Sequence, residues 1–280
     1  MNYVYMLRCA DETYYIGWTT KIKNRLAEHN SGKNGAKYTR SRRPVKLVYC
    51  EAQTSKSHAL KREAKLKKLT RNKKHELAKL SRKGELLTIY DANETPCGEI
   101  SRDIVHALGL RHHVCHLWLI EEKNGVVGMW LQQRGKDRPL NPSMYDLSAT
   151  GHIDVNETPI DAVLRECSEE IGLKFNKQDI LKIGECEQSY KRSDGGFDDE
   201  LVHCFAVRVD SEPQFNVGSE VQRMIWVSFD EFLKLENGAQ KIKTSVGFIN
   251  REDICCVGKG EWKNFEKHLS LMQKTVDNQL

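Results

Sequence analysis

Three glutamate side chains in the middle of the chain have the spacing of a metal site. Glu166, Glu169 and Glu170 stand at positions i, i+3 and i+4, so an α-helix would place all three carboxylates on one face. They repel one another unless a cation lies between them. A hard divalent ion such as Mg²⁺ prefers oxygen ligands and keeps waters that can attack phosphorus. The alternative is an acidic helix face that simply contacts solvent.

The residues around these carboxylates favour a helix. Thr158 is a suitable N-cap, Pro159 suits the first helical position, and Asp161 completes a capping-box pattern. Gly172 supplies a stop signal. The sequence therefore predicts a helix over 159–172 that packs on a core and leaves its acidic face toward a ligand.

The wider pattern over 151–173 resembles the signature of the Nudix hydrolases, which cleave nucleoside diphosphates linked to another group. The matching residues are Gly151, Glu157, Arg165, Glu166, Glu169, Glu170, Gly172 and Leu173. Cys167 stands where this family usually has Leu, Ile or Val, and a small buried thiol packs like a hydrophobic residue. The resemblance implies that Glu166 is the general base or supports it, and that Arg165 orients Glu166 or a phosphate. The implied ligands of Mg²⁺ (or Mn²⁺) are Glu166, Glu169, Glu170 and the carbonyl oxygen of Gly151.

The segments beside this signature resemble one branch of the Nudix family, that of isopentenyl-diphosphate isomerase. They are 117–120, 131–134 and 146–152. The isomerase depends on a cysteine upstream of the signature, and this chain has none between Cys115 and Cys167. Hydrolysis of a phosphoanhydride is therefore expected instead of isomerisation. The resemblance implies an α/β/α sandwich around a mixed sheet.

Other possible metal ligands lie on predicted strands. Glu200 heads a strand predicted over 200–209 and matches a position where this branch often has an extra metal-binding carboxylate, with Asp198 and Asp199 as alternatives. A run of His and Cys over 112–116 has no second matched pair of ligands. Zinc is therefore not predicted there.

Charge is divided unevenly along the chain. Residues 1–83 contain 22 Lys and Arg against 6 Asp and Glu, a net charge of +16, whereas residues 84–280 contain 22 against 33, a net charge of −11. We therefore predict two domains, 1–83 and 84–280, with different partners. The basic domain favours a polyanion.

The basic domain is predicted to be a small α+β unit with a three-stranded antiparallel sheet flanked by helices. Its first two strands form a hairpin. The predicted elements are strands at 3–8, 13–19 and 45–51, and helices at 21–30, 57–69 and 71–80.

Two strand motifs in this domain resemble those of the GIY-YIG endonucleases, most closely the small single-domain bacterial members. They are Tyr3-Val4-Tyr5 and Tyr15-Ile16-Gly17, followed by Arg25, His29 and Glu63, and the likeness covers about residues 1–80. Tyr3 stands where glycine is common. The resemblance implies that Tyr5 or Tyr15 deprotonates or positions the attacking water. It implies further that Arg25 stabilises charge on phosphorus, that His29 assists proton transfer and that Glu63 holds Mg²⁺.

Glu63 also stands out without the resemblance. It is the only acidic residue between Glu51 and Glu76, and it shares the predicted inward stripe of its helix with Ala59 and Leu66. A carboxylate that faces inward needs a partner, and a metal ion beside a phosphate would be one. The alternative is an ordinary ion pair with a neighbouring lysine.

A basic track interleaved with Tyr38 follows the first helix. Its members are Lys33, Lys37, Arg40, Arg42 and Arg43. They are predicted to contact the phosphate backbone of DNA, which gives salt-sensitive binding with little reading of bases.

The whole pattern favours a bifunctional enzyme, in which a DNA-cleaving GIY-YIG module is fused to a Nudix pyrophosphohydrolase. The alternatives are a hydrolase tethered to DNA by an inactive first domain and, more weakly, a nucleotide-sensing Nudix fold that controls the nuclease.

The nine scattered cysteines and the lack of a long apolar run favour reduced thiols in the cytoplasm and no membrane partner. A final amphipathic helix is predicted over 261–276. The oligomeric state and the Nudix substrate are not predicted.

Overall fold

The first compact unit is a mixed α/β arrangement built on one sheet. In this computed structural model, which describes residues 1–32, 34–192 and 194–255, the unit comprises Met1–His113 with Asp154–Asn156 and Ser189–Glu200. Its elements are β1 (Asn2–Arg8), β2 (Tyr14–Thr19), α1 (Ile22–Ser31), α2 (Lys37–Arg40), β3 (Lys46–Gln53), α3 (Lys56–Lys67), α4 (Arg71–Leu80), β4 (Leu86–Tyr90), β5 (Pro96–Ser101) and α5 (Arg102–Leu108).

Strand β1 is central because its side chains are buried on both faces. Val4 and Met6 pack in a cluster with α3 and α4, whereas Tyr5 and Leu7 pack in a cluster with α1. β1 pairs antiparallel with β2 and with β3, which confirms the antiparallel arrangement of the three predicted strands within a larger sheet. The bounds of the predicted helices over 21–30, 57–69 and 71–80 agree with α1, α3 and α4 to within two residues.

The hairpin of β4 and β5 belongs to this first sheet. The strand order is β2-β1-β3-β5-β4, and β5 joins β3 in a parallel pairing in which Leu47 is opposite Gly98. A Cβ at position 98 would lie 2.7 Å from the Leu47 carbonyl oxygen, so only glycine allows this approach. The first unit therefore extends to His113. The boundary predicted at residue 83 differs, because the basic composition ends before the buried strands of the unit do.

The second compact unit is a sandwich with helices on both faces of a sheet. It comprises Val114–Ile153, Glu157–Gln188 and the residues from Leu201 onward. The remaining elements of the chain are β6 (His112–Lys123), β7 (Val126–Arg134), β8 (Tyr145–Asp146), β9 (Ala149–His152), α6 (Pro159–Glu166), a π-helical turn (Cys167–Ile171), β10 (Leu181–Lys191), β11 (Phe197–Val209), β12 (Val221–Ser228), α7 (Phe229–Glu236), β13 (Lys241–Thr244) and β14 (Gly247–Asn250), with short 3₁₀ turns at Lys177–Asp179 and Arg251–Asp253.

The alternation of side chains along β6 produces the two layers of this sandwich. Cys115 and Leu117 pack with Val163 of α6, and Trp118 and Ile120 pack in the other cluster, which contains the apolar residues of α7. The sheet has the order β10-β11-β6-β7-β12, with β9 beside β6 and β8 beside β7. The α/β/α sandwich inferred from sequence is confirmed.

The helix predicted over 159–172 is not one α-helix. Thr158 caps α6 by accepting a hydrogen bond from the Asp161 amide, but α6 ends at Glu166 and continues as the π-helical turn. Gly172 ends that turn with a left-handed φ of 73°, and its amide donates to the Cys167 carbonyl. A π turn rotates the residues after Glu166 away from α-helical positions. The three glutamates therefore differ in exposure, which a uniform helix did not predict.

Two further predictions concern helices, one near residues 261–276 and the other any helix that could span a membrane. The helix predicted over 261–276 lies outside the described residues. In the part of the chain that the structure describes, no helix is both long enough and apolar enough to cross a membrane.

Replacing Leu87 by alanine tests the place of β4 in the first unit. Leu87 is 1% exposed and packs in the cluster that contains Tyr5 and Leu47, so Leu87→Ala should lower the free energy of unfolding by about 2–5 kcal/mol. Hydrogen exchange of β1 and β3 peptides should accelerate. The matched control is Leu80→Ala, since Leu80 is 55% exposed. Unchanged exchange in β1 on Leu87→Ala would contradict this assignment.

Candidate active sites

Glu166 lies directly against the backbone of β9. A Cβ at position 151 would lie 2.0 Å from Glu166 Oε1, so glycine at 151 leaves the space that this carboxylate occupies. Cys115, opposite Gly151 in the β6–β9 pairing, donates from Sγ to the Gly151 carbonyl oxygen at 3.6 Å. The structure therefore brings together two residues of the predicted site that are 15 positions apart in the sequence.

Arg165 is the cationic centre of this site. Its guanidinium donates to both carboxylate oxygens of Glu157, each at 3.0 Å, to Glu166 Oε1 at 2.7 Å and to Glu169 Oε2 at 3.3 Å. It also donates to the His152 carbonyl oxygen at 3.0 Å. One guanidinium, with a single positive charge, thus contacts and positions three carboxylate side chains.

Glu170 is the most buried carboxylate of the site. Its Oε2 accepts hydrogen bonds from the Gln132 side chain and the Thr150 amide, both at 2.9 Å. Burial raises the pKa of Glu170 to about 8, and the neighbouring Glu166 charge adds to the rise. Burial likewise raises the pKa of Glu166 to about 7, against the lowering effect of Arg165. Gln132 and Thr150 were not predicted, because a supporting contact across 38 residues leaves no local sequence signal.

The other predicted ligands of this site fall into two groups. The Glu169 side chain is 61% exposed, against 14% for Glu166, so Glu169 borders the site from the solvent side. Glu200 lies in the first compact unit, where its Oε1 is 3.4 Å from His112 Nε2. Asp198 and Asp199, the alternatives to Glu200, lie in that unit as well and pair with His106 and Arg111. The role of Glu200 as an additional metal ligand therefore stays a prediction.

The carboxylate cluster fits a hard divalent cation. Two buried carboxylates with raised pKa values are unfavourable when both ionise without a nearby cation, and oxygen ligands of this kind are those that Mg²⁺ prefers. The Gly151 backbone and the Glu166 and Glu170 side chains could hold such an ion, with Glu169 beside it.

The first unit contains a chain of hydrogen bonds centred on His29. Thr39 Oγ1 donates to the Ala36 carbonyl oxygen at 3.0 Å, so it accepts from His29 Nδ1 at 2.8 Å. His29 Nε2 is then the acceptor for the Tyr5 hydroxyl at 2.8 Å. This order fixes the tautomer of His29 and gives the Tyr5 proton a defined destination. Thr39 was not predicted as a site residue.

Arg25 completes this cluster. Its Nε donates to the Tyr5 hydroxyl oxygen at 3.3 Å, and its guanidinium also contacts Glu28 and the Asn34 carbonyl oxygen. Burial lowers the pKa of His29 to about 4, and the Arg25 charge lowers it further, so the imidazole is neutral. Burial raises the pKa of Tyr5, and the Glu63 carboxylate contributes to that rise.

Gly17 explains why the second strand motif ends in glycine. A Cβ at position 17 would lie 2.6 Å from the Tyr5 hydroxyl oxygen and 3.0 Å from Tyr15 Cε1. The Tyr15 ring centroid lies 4.9 Å from that of His29 and 6.3 Å from that of Tyr5. The predicted residues Tyr5, Tyr15, Arg25 and His29 are therefore brought together around one hydroxyl group.

Glu63 faces inward as predicted, since its side chain is 14% exposed on α3. Its Oε1 also lies 2.7 Å from Lys67 Nζ, so the ion pair named as the alternative is present. The role of Glu63 as a metal ligand stays a prediction.

The basic track divides into exposed and structural members. Lys37 and Arg40 are exposed on α2. Arg43 donates to the carbonyl oxygens of His29 at 2.6 Å and Gly32 at 2.7 Å, so it holds the end of α1. Arg42 donates to Asp11 and lies over the Tyr38 ring at 4.2 Å. Lys33 lies outside the described residues.

These two arrangements define the class of the protein. A tyrosine–histidine–arginine cluster in a basic α+β domain and a glutamate-rich helix in an α/β/α sandwich are both suited to breaking phosphorus–oxygen bonds. The chain is an enzyme of the hydrolase class.

Comparisons with known proteins match the first and the second part of the chain to different families. A family model of the GIY-YIG catalytic domain matches residues 1–76, and a model of the NUDIX domain matches residues 109–246. A UPF0213 protein of Syntrophus aciditrophicus is 62% identical over 78 residues, which are 28% of this chain and 90% of that protein. The chain therefore belongs to the GIY-YIG family through its first residues, and it carries a NUDIX domain in its second part.

Two solved structures have a low similarity to part of this chain. A MutT/nudix family protein from Enterococcus faecalis is 20% identical with a TM-score of 0.36, over 41% of this chain and 43% of that one. The DR0079 protein from Deinococcus radiodurans is 19% identical with a TM-score of 0.41, over 55% of this chain and 90% of that one. These similarities are too low to indicate a substrate.

Binding of Mg²⁺ to the carboxylate cluster should release protons. Near pH 7 Glu166 and Glu170 are partly protonated, with pKa values of about 7 and 8, and a bound cation requires their ionised forms. About one proton per chain should be released at pH 7, and fewer as the pH rises above both values. Calorimetric titration in two buffers of different ionisation enthalpy measures this number. Glu170→Gln should reduce it, and the exposed Glu212→Gln should not. A buffer-independent heat in the unaltered protein would contradict the assignment.

The same shifts set the pH dependence of stability without the cation. Both folded-state pKa values lie above the ordinary value of 4.5, so the folded chain holds protons that the unfolded chain has lost. The free energy of unfolding should therefore fall, by more than about 1 kcal/mol, as the pH rises from about 5 to about 8 in EDTA. Mg²⁺ should remove most of this dependence. Denaturant titrations at several pH values measure it.

Proposed function

We propose that this chain is a bifunctional, Mg²⁺-dependent hydrolase (Mn²⁺ serving as well). Its NUDIX domain hydrolyses a nucleoside diphosphate linked to another group, and its GIY-YIG domain nicks DNA. The observation that carries the first activity is the Glu166 carboxylate held against Gly151, with a pKa raised to about 7. A carboxylate with such a pKa is suited to accept a proton near neutral pH.

Each residue of the carboxylate cluster has a defined task in this proposal. Glu166 takes a proton from the attacking water at Oε1 or Oε2, while Arg165 holds the side chain in place. Glu170 is fixed by Gln132 and Thr150 and cannot turn away. A divalent cation held by these carboxylates would lower the pKa of the water and spread the charge that develops on the phosphate oxygens.

The proton path of the GIY-YIG domain supports the nuclease activity. The Tyr5 hydroxyl lies between the Arg25 guanidinium and His29 Nε2. As a water attacks the DNA phosphorus, its proton passes to the Tyr5 oxygen while the Tyr5 proton passes to His29. Arg25 stabilises the negative charge on the phosphate oxygens. Glu63 is the carboxylate available for the divalent cation of this domain, and Tyr15 lines the site beside His29.

DNA contacts are proposed for the exposed part of the basic track. Lys37 and Arg40 are exposed and would bind phosphates, with Arg40 Nε also donating to the Gly35 carbonyl oxygen at 3.3 Å, and Lys33 stays a prediction. Arg42 and Arg43 shape the loop that presents them, because their guanidinium groups already hold backbone and side-chain partners. The reduced state of the cysteines stays a prediction. A cytoplasmic location stays a prediction.

The second candidate is a hydrolase with a catalytically inactive GIY-YIG domain that only binds DNA. The ion pair between Glu63 and Lys67 favours it, because a carboxylate bound to lysine needs no metal. A nucleotide-sensing NUDIX domain is a weaker third candidate, for which binding without turnover would be the sign.

Replacing Glu166 tests the hydrolase activity. Glu166→Gln removes the proton acceptor and one ionic ligand, so kcat should fall by about 10²- to 10⁴-fold. The assay screens nucleoside diphosphate derivatives for release of phosphate or nucleotide with Mg²⁺. Glu212→Gln is the matched control on the exposed surface of the same domain. Equal rates for Glu166→Gln and the unaltered protein would refute the role of Glu166.

Replacing Glu63 tests the nuclease activity. Glu63→Gln should lower Mg²⁺-dependent nicking of supercoiled DNA by more than about 100-fold, since a direct ligand matters more than an outer-sphere partner. DNA affinity and its salt dependence should be unchanged. Glu76→Gln is the control, because Glu76 is exposed and paired to Lys79 in a similar way. DNA binding without nicking by the unaltered protein, under either Mg²⁺ or Mn²⁺, would favour the second candidate.

A further inference from the structure

One face of helix α3 and its C-cap carries lysines that neither candidate active site uses. Lys61, Lys65 and Lys68 follow one another at i, i+4 and i+7, so their side chains share one face of the helix. All three residues are exposed, whereas Ala59 and Leu66 of the same helix are buried. Because the buried residues face the sheet, the lysines face away from it. We call these three residues the lysine stripe.

The charges of the lysine stripe are not balanced by the carboxylate of their own helix. Lysines three or four positions apart on a helix repel one another and destabilise it. Glu63 is the only carboxylate of α3, and it pairs with Lys67 at 2.7 Å. The next helix, α4, adds the exposed Arg71 and Lys73 in its first turn, where the helix dipole disfavours cations, and that turn has no acidic residue. A polyanion bound outside these helices would relieve the repulsion.

The lysine stripe and the basic track lie on opposite faces of the first sheet. Strand β1 shows this, because Tyr5 packs in the cluster that contains residues of α1, whereas Val4 packs in the cluster that contains residues of α3. Helix α2, which carries the exposed part of the basic track, is joined to α1 by the hydrogen bond between Thr39 and His29. The sheet and a helix on each side of it therefore separate the two basic surfaces.

The length of the lysine stripe suits the phosphates of a DNA strand. With a helical rise of about 1.5 Å per residue, Lys61 and Lys68 are about 10.5 Å apart along the helix axis. Each strand of duplex DNA has a phosphate about every 3.4 Å along the duplex axis, so the stripe can run beside about three phosphates. Duplex DNA has a persistence length of about 50 nm. It is too stiff to turn around the sheet, and a duplex on the basic track therefore does not reach the lysine stripe.

We propose that the lysine stripe binds the phosphate backbone of a second DNA duplex while the basic track binds the first. The proposal rests on the DNA binding of the proposed function and goes beyond it, because one chain then holds two DNA segments. Contacts with phosphates carry no sequence information, so the second duplex is bound without sequence preference and with a strong dependence on salt. Branched DNA, in which two arms lie close together, would contact both surfaces at once.

Capture of a second duplex by the full-length protein tests this proposal. A short duplex is immobilised, saturated with protein in EDTA so that no nicking occurs, and then incubated with a fluorescent duplex of unrelated sequence. The unaltered protein should capture the fluorescent duplex. The logarithm of its affinity should fall with the logarithm of the salt concentration with a slope of about −2.7, as expected for three phosphate contacts. DNA binding without capture would overturn the proposal, and so would capture of duplex RNA but not of duplex DNA.

A variant of the lysine stripe shows which surface holds the second duplex. Lys61→Gln/Lys65→Gln/Lys68→Gln should keep its affinity for the immobilised duplex within about 2-fold, because the basic track remains, and should reduce capture by more than about 10-fold. Capture by this variant equal to that of the unaltered protein would overturn the proposal, because two copies of the chain would then each hold one duplex through the basic track.

The matched control removes the same charge from the second unit. It replaces three exposed lysines by glutamine, namely Lys174, Lys241 and Lys243. This control should capture the fluorescent duplex as the unaltered protein does, and an equal loss of capture in both triple variants would refute the assignment to the lysine stripe.

Nicking with Mg²⁺ is measured separately, so that failure of the proposed nuclease is distinguished from failure of this proposal. Capture without nicking by the unaltered protein would refute the nuclease and support the lysine stripe. Nicking by the unaltered protein, together with capture that the stripe variant retains, would refute the lysine stripe and leave the nuclease supported.

Discussion

Buried negative charge is the constraint on which this chain depends. A carboxylate removed from water is costly unless a cation or hydrogen-bond donors replace the lost hydration. The second unit solves this with Arg165, which contacts three carboxylates, and with pKa values for Glu166 and Glu170 that let protons take the place of a cation. The first unit solves it with histidines and arginines beside Asp198 and Asp199.

The cost of burying carboxylates also affects how they bind protons and cations. A site that holds protons at neutral pH because its carboxylates are buried will release them when a divalent cation binds. In the proposed mechanism, the same burial raises the pKa of Glu166 into the range that suits a proton acceptor near neutral pH. The stability of the fold and the proposed reactivity therefore depend on the same side chains, Glu166 and Glu170. A substitution that relieves the repulsion between them also removes a carboxylate of the candidate site.

Two glycines of the site motifs leave room for the functional group of another site residue. Gly151 allows the Glu166 carboxylate to lie where a Cβ would otherwise be, and Gly17 does the same for the Tyr5 hydroxyl. In neither position is a left-handed backbone the reason for glycine. In each motif, the glycine therefore provides the space that a functional side chain from another element occupies.

The sequence also led to predictions that the structure changes. A regular helix placed Glu166, Glu169 and Glu170 on one face, but the π turn after Glu166 buries Glu170 and exposes Glu169. The charge boundary at residue 83 separated β4 and β5 from a sheet to which they belong. Local patterns cannot reveal either difference, because the first depends on a backbone irregularity and the second on a pairing between distant strands.

The sequence by itself determined the two families, the order of the domains, and the strands and the three longer helices of the first eighty residues, and it named the candidate site residues that stay predictions. Those features depend on spacing and local periodicity, which are written along the chain. Only the tertiary structure decided that Thr39 orients His29, that Gln132 and Thr150 hold Glu170, and that Glu200 lies beside His112. Such contacts join residues far apart in sequence, and they form only when the sheets bring their strands together.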